Sequence, residues 1–130
     1  MSKYARTKGY NFQRFIAKEL QLYLGDRFIV QSNTQYRGAK DLSDIVIKQT
    51  CNFQVVPVWI ECQCSKKITI KKKINQVLRD LINNDYMHFL PIVILKQNRM
   101  EIVTYCGGAF EKKDLWGCFE IISKVAATCI

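Results

Sequence analysis

The residues of this chain that could do chemistry lie between Asp44 and Gln63. The stretch reads Ser43-Asp44-Ile45-Val46-Ile47-Lys48, then a polar Gln49-Thr50-Cys51-Asn52, then Val55-Val56-Pro57-Val58-Trp59-Ile60-Glu61-Cys62-Gln63. Two apolar runs of strand length, rich in β-branched residues and joined by a polar cluster, predict an antiparallel hairpin. Asp44 opens the first strand and Glu61 closes the second, so the pairing brings the two carboxylates close together. Side-chain alternation puts Glu61 and Gln63 on one face and Cys62 on the other. Adjacent carboxylates repel unless a positive charge lies between them. A divalent metal suits that place, because Mg2+ is commonly held by one or two carboxylates plus waters and substrate phosphates.

The elements that must position this hairpin can be read on either side of it. Before it, Phe12, Phe15, Ile16, Leu20, Tyr23 and Leu24 recur at helical spacing and predict a helix over 10–24, closed by Gly25. Residues 2–8, with Lys3, Arg6 and Lys8, read as a basic arm, mobile when free and able to reach phosphates. Glu19 falls within the apolar arc of the helix, about 9 Å along the axis from Gln13. Arg14 and Lys18, four residues apart, make a positive face that is either a phosphate contact or a solvated surface. Arg27 to Gln31 reads as a short strand, and Ser32 to Asp41 as a polar loop whose Arg37 and Lys40 lie just ahead of Asp44.

After the hairpin come Lys66, Lys67, Lys71, Lys72 and Lys73. If the second strand runs on, Lys67 shares the face of Glu61 and Gln63, about 13 Å beyond Gln63. Ile70, Ile74, Val77, Leu78, Leu81 and Ile82 predict a second helix over 70–83, with Gln76 beside its apolar stripe. The lysine triplet sits at the unfavourable end of that helix, a placement that bound phosphates would offset. Phe89 to Leu95 is the most apolar run and predicts a central strand; Met100 to Tyr105 returns beside it after a Gln97-Asn98-Arg99 turn. A last helix is expected over 111–126. The element order is therefore α-β-β-β-α-β-β-α, a mixed α/β sheet flanked by helices.

Bulk properties agree with one domain spanning 1–130. The chain has 130 residues, 48% of them hydrophobic, enough for a core. Its formal charge of +9 and pI near 9.4 point to an anionic partner, and nucleic acid is favoured over a merely soluble basic surface. No apolar run approaches the roughly 18 residues of a membrane span, and no signal-peptide pattern opens the chain. The six cysteines lack a C-x-x-C pair and read as reduced thiols, with Cys62 and Cys64 on the core face. A cytoplasmic protein is expected, or one of the nucleoid or host cytoplasm if the source is viral. His88, the one histidine, precedes a core strand and reads as structural or exposed rather than as a general base.

Three groups of residues together resemble the PD-(D/E)xK nuclease superfamily, and within it the archaeal-type Holliday junction resolvases and related phage endonucleases. They are Lys8-Gly9-x-x-Phe12-x-Arg14, Ser43-Asp44-Ile45 and Ile60-Glu61-Cys62-Gln63, followed by a helix carrying Gln76 and a strand-turn-strand. The likeness covers residues 6–105. It implies a restriction-endonuclease-like fold and a Mg2+-dependent endodeoxyribonuclease, with Mn2+ as a substitute ion. Asp44 and Glu61 would be the metal-binding carboxylates, with the backbone carbonyl of Cys62 beside them. Gln63 fills the slot where the family has lysine, and Gln13 stands where a helix acid contributes to the metal site; Glu19 or Lys67 could supply what those positions lack. Lys8, Arg14, Arg37, Lys40, Lys66, Lys71 and Lys72 would contact DNA phosphates with little sequence readout.

The substrate implied is branched DNA such as a four-way junction, and paired cuts imply a homodimer. Three alternatives remain open on the sequence. One is a general or restriction-type endonuclease. Another is a relative that binds DNA structure without cutting, motivated by Gln63 and Gln13. The third is an RNA- or protein-binding adaptor in which Asp44 and Glu61 are ordinary strand-end acids.

Overall fold

A computed structural model describes residues 3–32 and 43–129. Its elements are α1 (Lys3–Leu24), β1 (Phe28–Ser32), β2 (Ile45–Gln49), β3 (Val58–Ser65), α2 (Ile70–Asn83), β4 (Leu90–Gln97), β5 (Val103–Cys106), β6 (Glu111–Lys113) and α3 (Leu115–Ala127). The six strands form one mixed sheet in the order β1-β2-β3-β4-β5-β6. All neighbours are antiparallel except β3 and β4, which are parallel and joined across the sheet by α2.

Strand alternation divides the core into two layers. Ile45, Ile47, Ile60, Ile92 and Ile94 point to one face and pack with Phe12, Ile16 and Leu20 of α1 and Phe119 and Ile122 of α3. Trp59, Val93 and Leu95 point to the other face and pack with Val77 and Leu81 of α2. Glu61 and Gln63 alternate with Ile60 and Cys62, so they lie on the α2 face. Cys62 and Cys64 pack against the α1–α3 core, as a small-hydrophobe reading requires, and all six cysteines are free thiols.

The hairpin around the acids forms with an irregularity. Ile45 pairs with Ile60, while Lys48 bridges to Val55. Three steps along β2 thus match five on its partner, which leaves two extra residues around Pro57. A proline cannot donate to the ladder, so the chain bulges there before β3 proper begins at Val58. Gly25 closes α1 in the left-handed conformation at φ 83°, its N–H donating to the Gln21 carbonyl at 3.0 Å.

Three expectations need correction. Residues 3–8 of the expected basic arm are the first turns of α1, since nothing before Gly25 forces a break and a lone Gly9 inside a helix is tolerated. A sixth strand, β6, precedes the last helix, so the order is α-β-β-β-α-β-β-β-α. That helix begins at Leu115, where the Asp114 side chain caps it by accepting the Gly117 N–H at 2.7 Å. Among the described residues, no helix is long and apolar enough to cross a membrane.

Candidate active site

Asp44 lies in the bend just before β2, and Glu61 lies midway along β3. Continuing the Ile45–Ile60 register by one step sets them opposite each other. Two hydrogen bonds fix Asp44. Its Oδ2 accepts the backbone N–H of Cys62 at 2.9 Å, and its carbonyl accepts Gln13 Nε2 from α1 at 2.6 Å. Glu61 is held by its own strand: Trp59, two residues back on the same face, donates its indole N–H to Oε1 at 3.0 Å.

Glu61 is 7% exposed. Burial, then the charge of Asp44 and a hydrogen bond shared with its carboxyl, raise the Glu61 pKa from 4.5 to about 9. The Lys73 ammonium and the Trp59 indole oppose that rise. Burial, followed by the same two acids, also lifts the Cys62 thiol well above its usual range, again opposed by Lys73. The thiol is therefore neutral at physiological pH. In the metal-free protein, Glu61 therefore keeps its proton at neutral pH.

Asp44 opens onto solvent through a cleft of about 520 Å³, whereas Glu61, buried beside it, does not line that cleft. Gly9, Tyr10 and Gln13 of α1 form one wall, Cys62, Gln63 and Cys64 of β3 the floor, and Lys73 and Gln76 of α2 the far wall, with Asp44 among the lining residues. The donor set fits Mg2+. Asp44 lines a polar cleft with room for water and a phosphate, Glu61 stands beside it, and among the described residues no third acid, histidine or thiolate joins them in a closed cage. The buried proton on Glu61 is what a divalent cation would displace.

The sequence-derived candidates divide as follows. Asp44, Gln63 and Gln76 line the cleft, and Glu61 is buried beside Asp44. Gln63 carries no charge into the lysine slot; its Nε2 donates to Ser65 Oγ at 3.3 Å. Gln13 touches the backbone of Asp44 and so positions that acid. Glu19 does not line the cleft, consistent with the edge of the helix stripe. Lys67 and Lys72 line an adjoining groove instead. Lys66, Lys71, Lys8 and Arg14 line neither opening. Arg37 and Lys40 lie outside the described residues. His88 is exposed and rests edge-on against Phe89, in keeping with a structural role.

Sequence reasoning missed Lys73. It was one member of a triplet with nothing to single it out, yet it is the cation whose field reaches Glu61 and Cys62. A signal was present: Lys73 precedes Gln76 by three residues, so the two share a helix face.

No family model matches the sequence, and no curated protein matches it. Among solved structures, the chain is similar to Hjc, a Holliday junction resolvase from the archaeal hyperthermophile Archaeoglobus fulgidus. The identity is 14%, over 92% of this chain and 99% of that chain, with a TM-score of 0.44.

Proposed function

We propose that the chain is a divalent-metal-dependent endonuclease that hydrolyses phosphodiesters in DNA, with branched DNA such as a four-way junction as its preferred substrate. One observation carries this reading: Asp44, which lines a solvent-open cleft, stands beside the buried Glu61, with Lys73 close enough to stabilise the ionised form of Glu61. The preference for branched DNA rests on the motif resemblance in Lys8–Arg14, Ser43–Ile45 and Ile60–Gln63.

Asp44 and Glu61 would hold Mg2+, or Mn2+ in its place, with the backbone carbonyl of Cys62 as a further ligand. Such an ion supplies Lewis acidity toward a phosphate oxygen and toward water. The chain's own residues do the rest. Gln13 and the Cys62 N–H hold Asp44 in one orientation. Glu61 gives up its proton when the site is loaded. Lys73 offsets charge that develops on the phosphate, the task of the family's strand lysine. Gln63 and Gln76 offer amide groups to orient the phosphate or the attacking water.

Paired cuts require two such sites, so a symmetric dimer is proposed. The exposed Tyr23 and Trp116, with ring centroids 5.8 Å apart, offer an apolar face for it. A DNA-structure binder that does not cut is the second reading. It is favoured by the uncharged Gln63 engaged with Ser65. Incubating the protein with labelled junction, linear duplex and single strand, with Mg2+ or Mn2+, separates the readings. Symmetric nicks in the junction support the proposal. Cutting of all three substrates keeps the chemistry and drops the branched preference. Tight junction binding without cutting leaves the binder.

A further inference from the structure

A second groove of about 540 Å³ adjoins the carboxylate cleft and shares Gln63, Lys73 and Gln76 with it. Away from the acids it continues along α2 to Arg79, with Lys67 facing it from beyond the end of β3. Four of its lining residues are cations: Lys67, Lys72, Lys73 and Arg79. No acid lines it among the described residues, and the ion pairs Glu111–Lys113 and Glu120–Lys124 involve none of these cations. Thr69, Asn75 and Gln76 fill the gaps with hydroxyl and amide groups. Lys73 also acts on Glu61, but Lys67, Lys72 and Arg79 make no ion pair among the described residues, and such a concentration of positive charge calls for an external anion.

The spacing describes that anion. Lys72, Gln76 and Arg79 follow each other at helical intervals of four and three, so they form one row. The row is about 10 Å long, enough to meet about two neighbouring phosphates of one strand. The lining also says how the strand is read. No aromatic side chain faces the groove among the described residues, so it has no platform on which unpaired bases could stack. Cations, amides and hydroxyls suit sugar-phosphate contacts.

We infer that this α2 groove holds the backbone of one strand of a duplex arm, over the phosphates next to the bond presented to Asp44 and Glu61. The groove positions the substrate without reading its sequence. The inference deepens the nuclease reading and rests on it for the location of the scissile bond.

The test is anisotropy of a fluorescein-labelled duplex, and of one of its strands alone, titrated with the full chain in EDTA across a salt series. The double variant Lys72→Ala/Arg79→Ala is compared with the parent and with Lys124→Ala, an exposed lysine on α3 across the sheet. The double variant is expected to bind duplex about 10-fold or more weakly at low salt. Its slope of log affinity against log salt should fall by about two, one for each lost phosphate contact. Lys124→Ala should match the parent. Thermal melts confirm that these exposed substitutions leave the fold intact.

An unchanged slope in the double variant overturns the groove, and does so even if the parent cleaves DNA. A parent that prefers the single strand, and loses it in the double variant, overturns the duplex assignment. A parent that binds duplex through the groove but never cleaves with Mg2+ or Mn2+ supports the groove and rejects the nuclease reading. The two failures are therefore distinguishable.

Discussion

Asp44 and Cys62 are joined by a hydrogen bond from the Cys62 backbone N–H to Asp44 Oδ2, 2.9 Å long, so the acid before β2 is tied to the strand that carries Glu61. The bond needs an acceptor at Asp44, whereas the repulsion with Glu61 needs its charge. The two effects can be separated by substitution. Asp44→Asn keeps the acceptor and removes the charge; Asp44→Ala removes both. Without metal, Asp44→Asn is expected to be more stable than Asp44→Ala by about 1–2 kcal/mol, the value of a part-buried hydrogen bond. Urea unfolding of the two variants measures this directly. Equal stability would mean that the bond contributes nothing.

Glu61 makes the metal-free fold sensitive to pH. Its folded pKa is raised from 4.5 to about 9. Between those values the folded chain keeps a proton that the unfolded chain has released. The folded state binds more protons in that window, so stability falls as pH rises. The contribution is fully present below about pH 4.5 and is lost as pH approaches about 9. Thermal melts in EDTA should show the parent losing stability from about pH 5 to about pH 8.5, with Glu61→Gln much flatter. Added Mg2+ should restore the parent at the higher pH, because it binds the ionised folded pair. A parent curve as flat as that of Glu61→Gln would contradict a buried proton.

Lys73 is expected to act on the chemical step. Lys73→Ala should lower kcat by about 100- to 1000-fold, the range for removing one group that stabilises developing charge. Lys73→Arg should retain part of the activity. Adding Gln63→Lys to Lys73→Ala returns a cation to the strand position and should recover much of the loss. Single-turnover cleavage rates give the comparison. Failure of both Lys73→Arg and the added Gln63→Lys to exceed Lys73→Ala would remove Lys73 from the mechanism.

Gln13 should act through Asp44. Replacing it with alanine leaves the Asp44 carbonyl without its 2.6 Å partner. The concentration of Mg2+ giving half-maximal activity is expected to rise about 10-fold, as for other groups that orient a ligand, with a smaller change in kcat at saturating metal. A loss of kcat that excess Mg2+ cannot reduce would argue against a positioning role.

The parts of the fold that could be read in the sequence are those set by strong local patterns. The stripe from Ile70 to Ile82 placed α2 at its observed bounds, and Gly25 marked the end of α1. The polar Gln49–Asn52 cluster marked the hairpin. Alternation separated Glu61 from Cys62 correctly. What escaped was decided by tertiary contact. The first turns of α1, Lys3 to Thr7, have no apolar stripe to announce them. β6 is three residues long and exists through its pairing with β5. β3 extends to Ser65 because it runs beside β4 as far as Gln97. At the site, the two acids were legible because strand pairing is a sequence-level rule. The working cation was not, because Lys71, Lys72 and Lys73 differ only in their angle around α2. Arg79 was hidden for the same reason: on the sequence it is one more exposed helical charge.

The central claim is that Asp44 and Glu61 form one metal-dependent site for cutting DNA. The most direct measurement follows cleavage of a labelled four-way junction against Mg2+ concentration for the parent, Asp44→Asn and Glu61→Gln. Junction binding in EDTA is recorded alongside for all three. The account predicts Mg2+-dependent nicking by the parent, losses of about 100-fold or more in each variant, and binding that stays within a few-fold. Cleavage that survives in both variants, or a parent that binds the junction and leaves it whole under Mg2+ and Mn2+ alike, would contradict it.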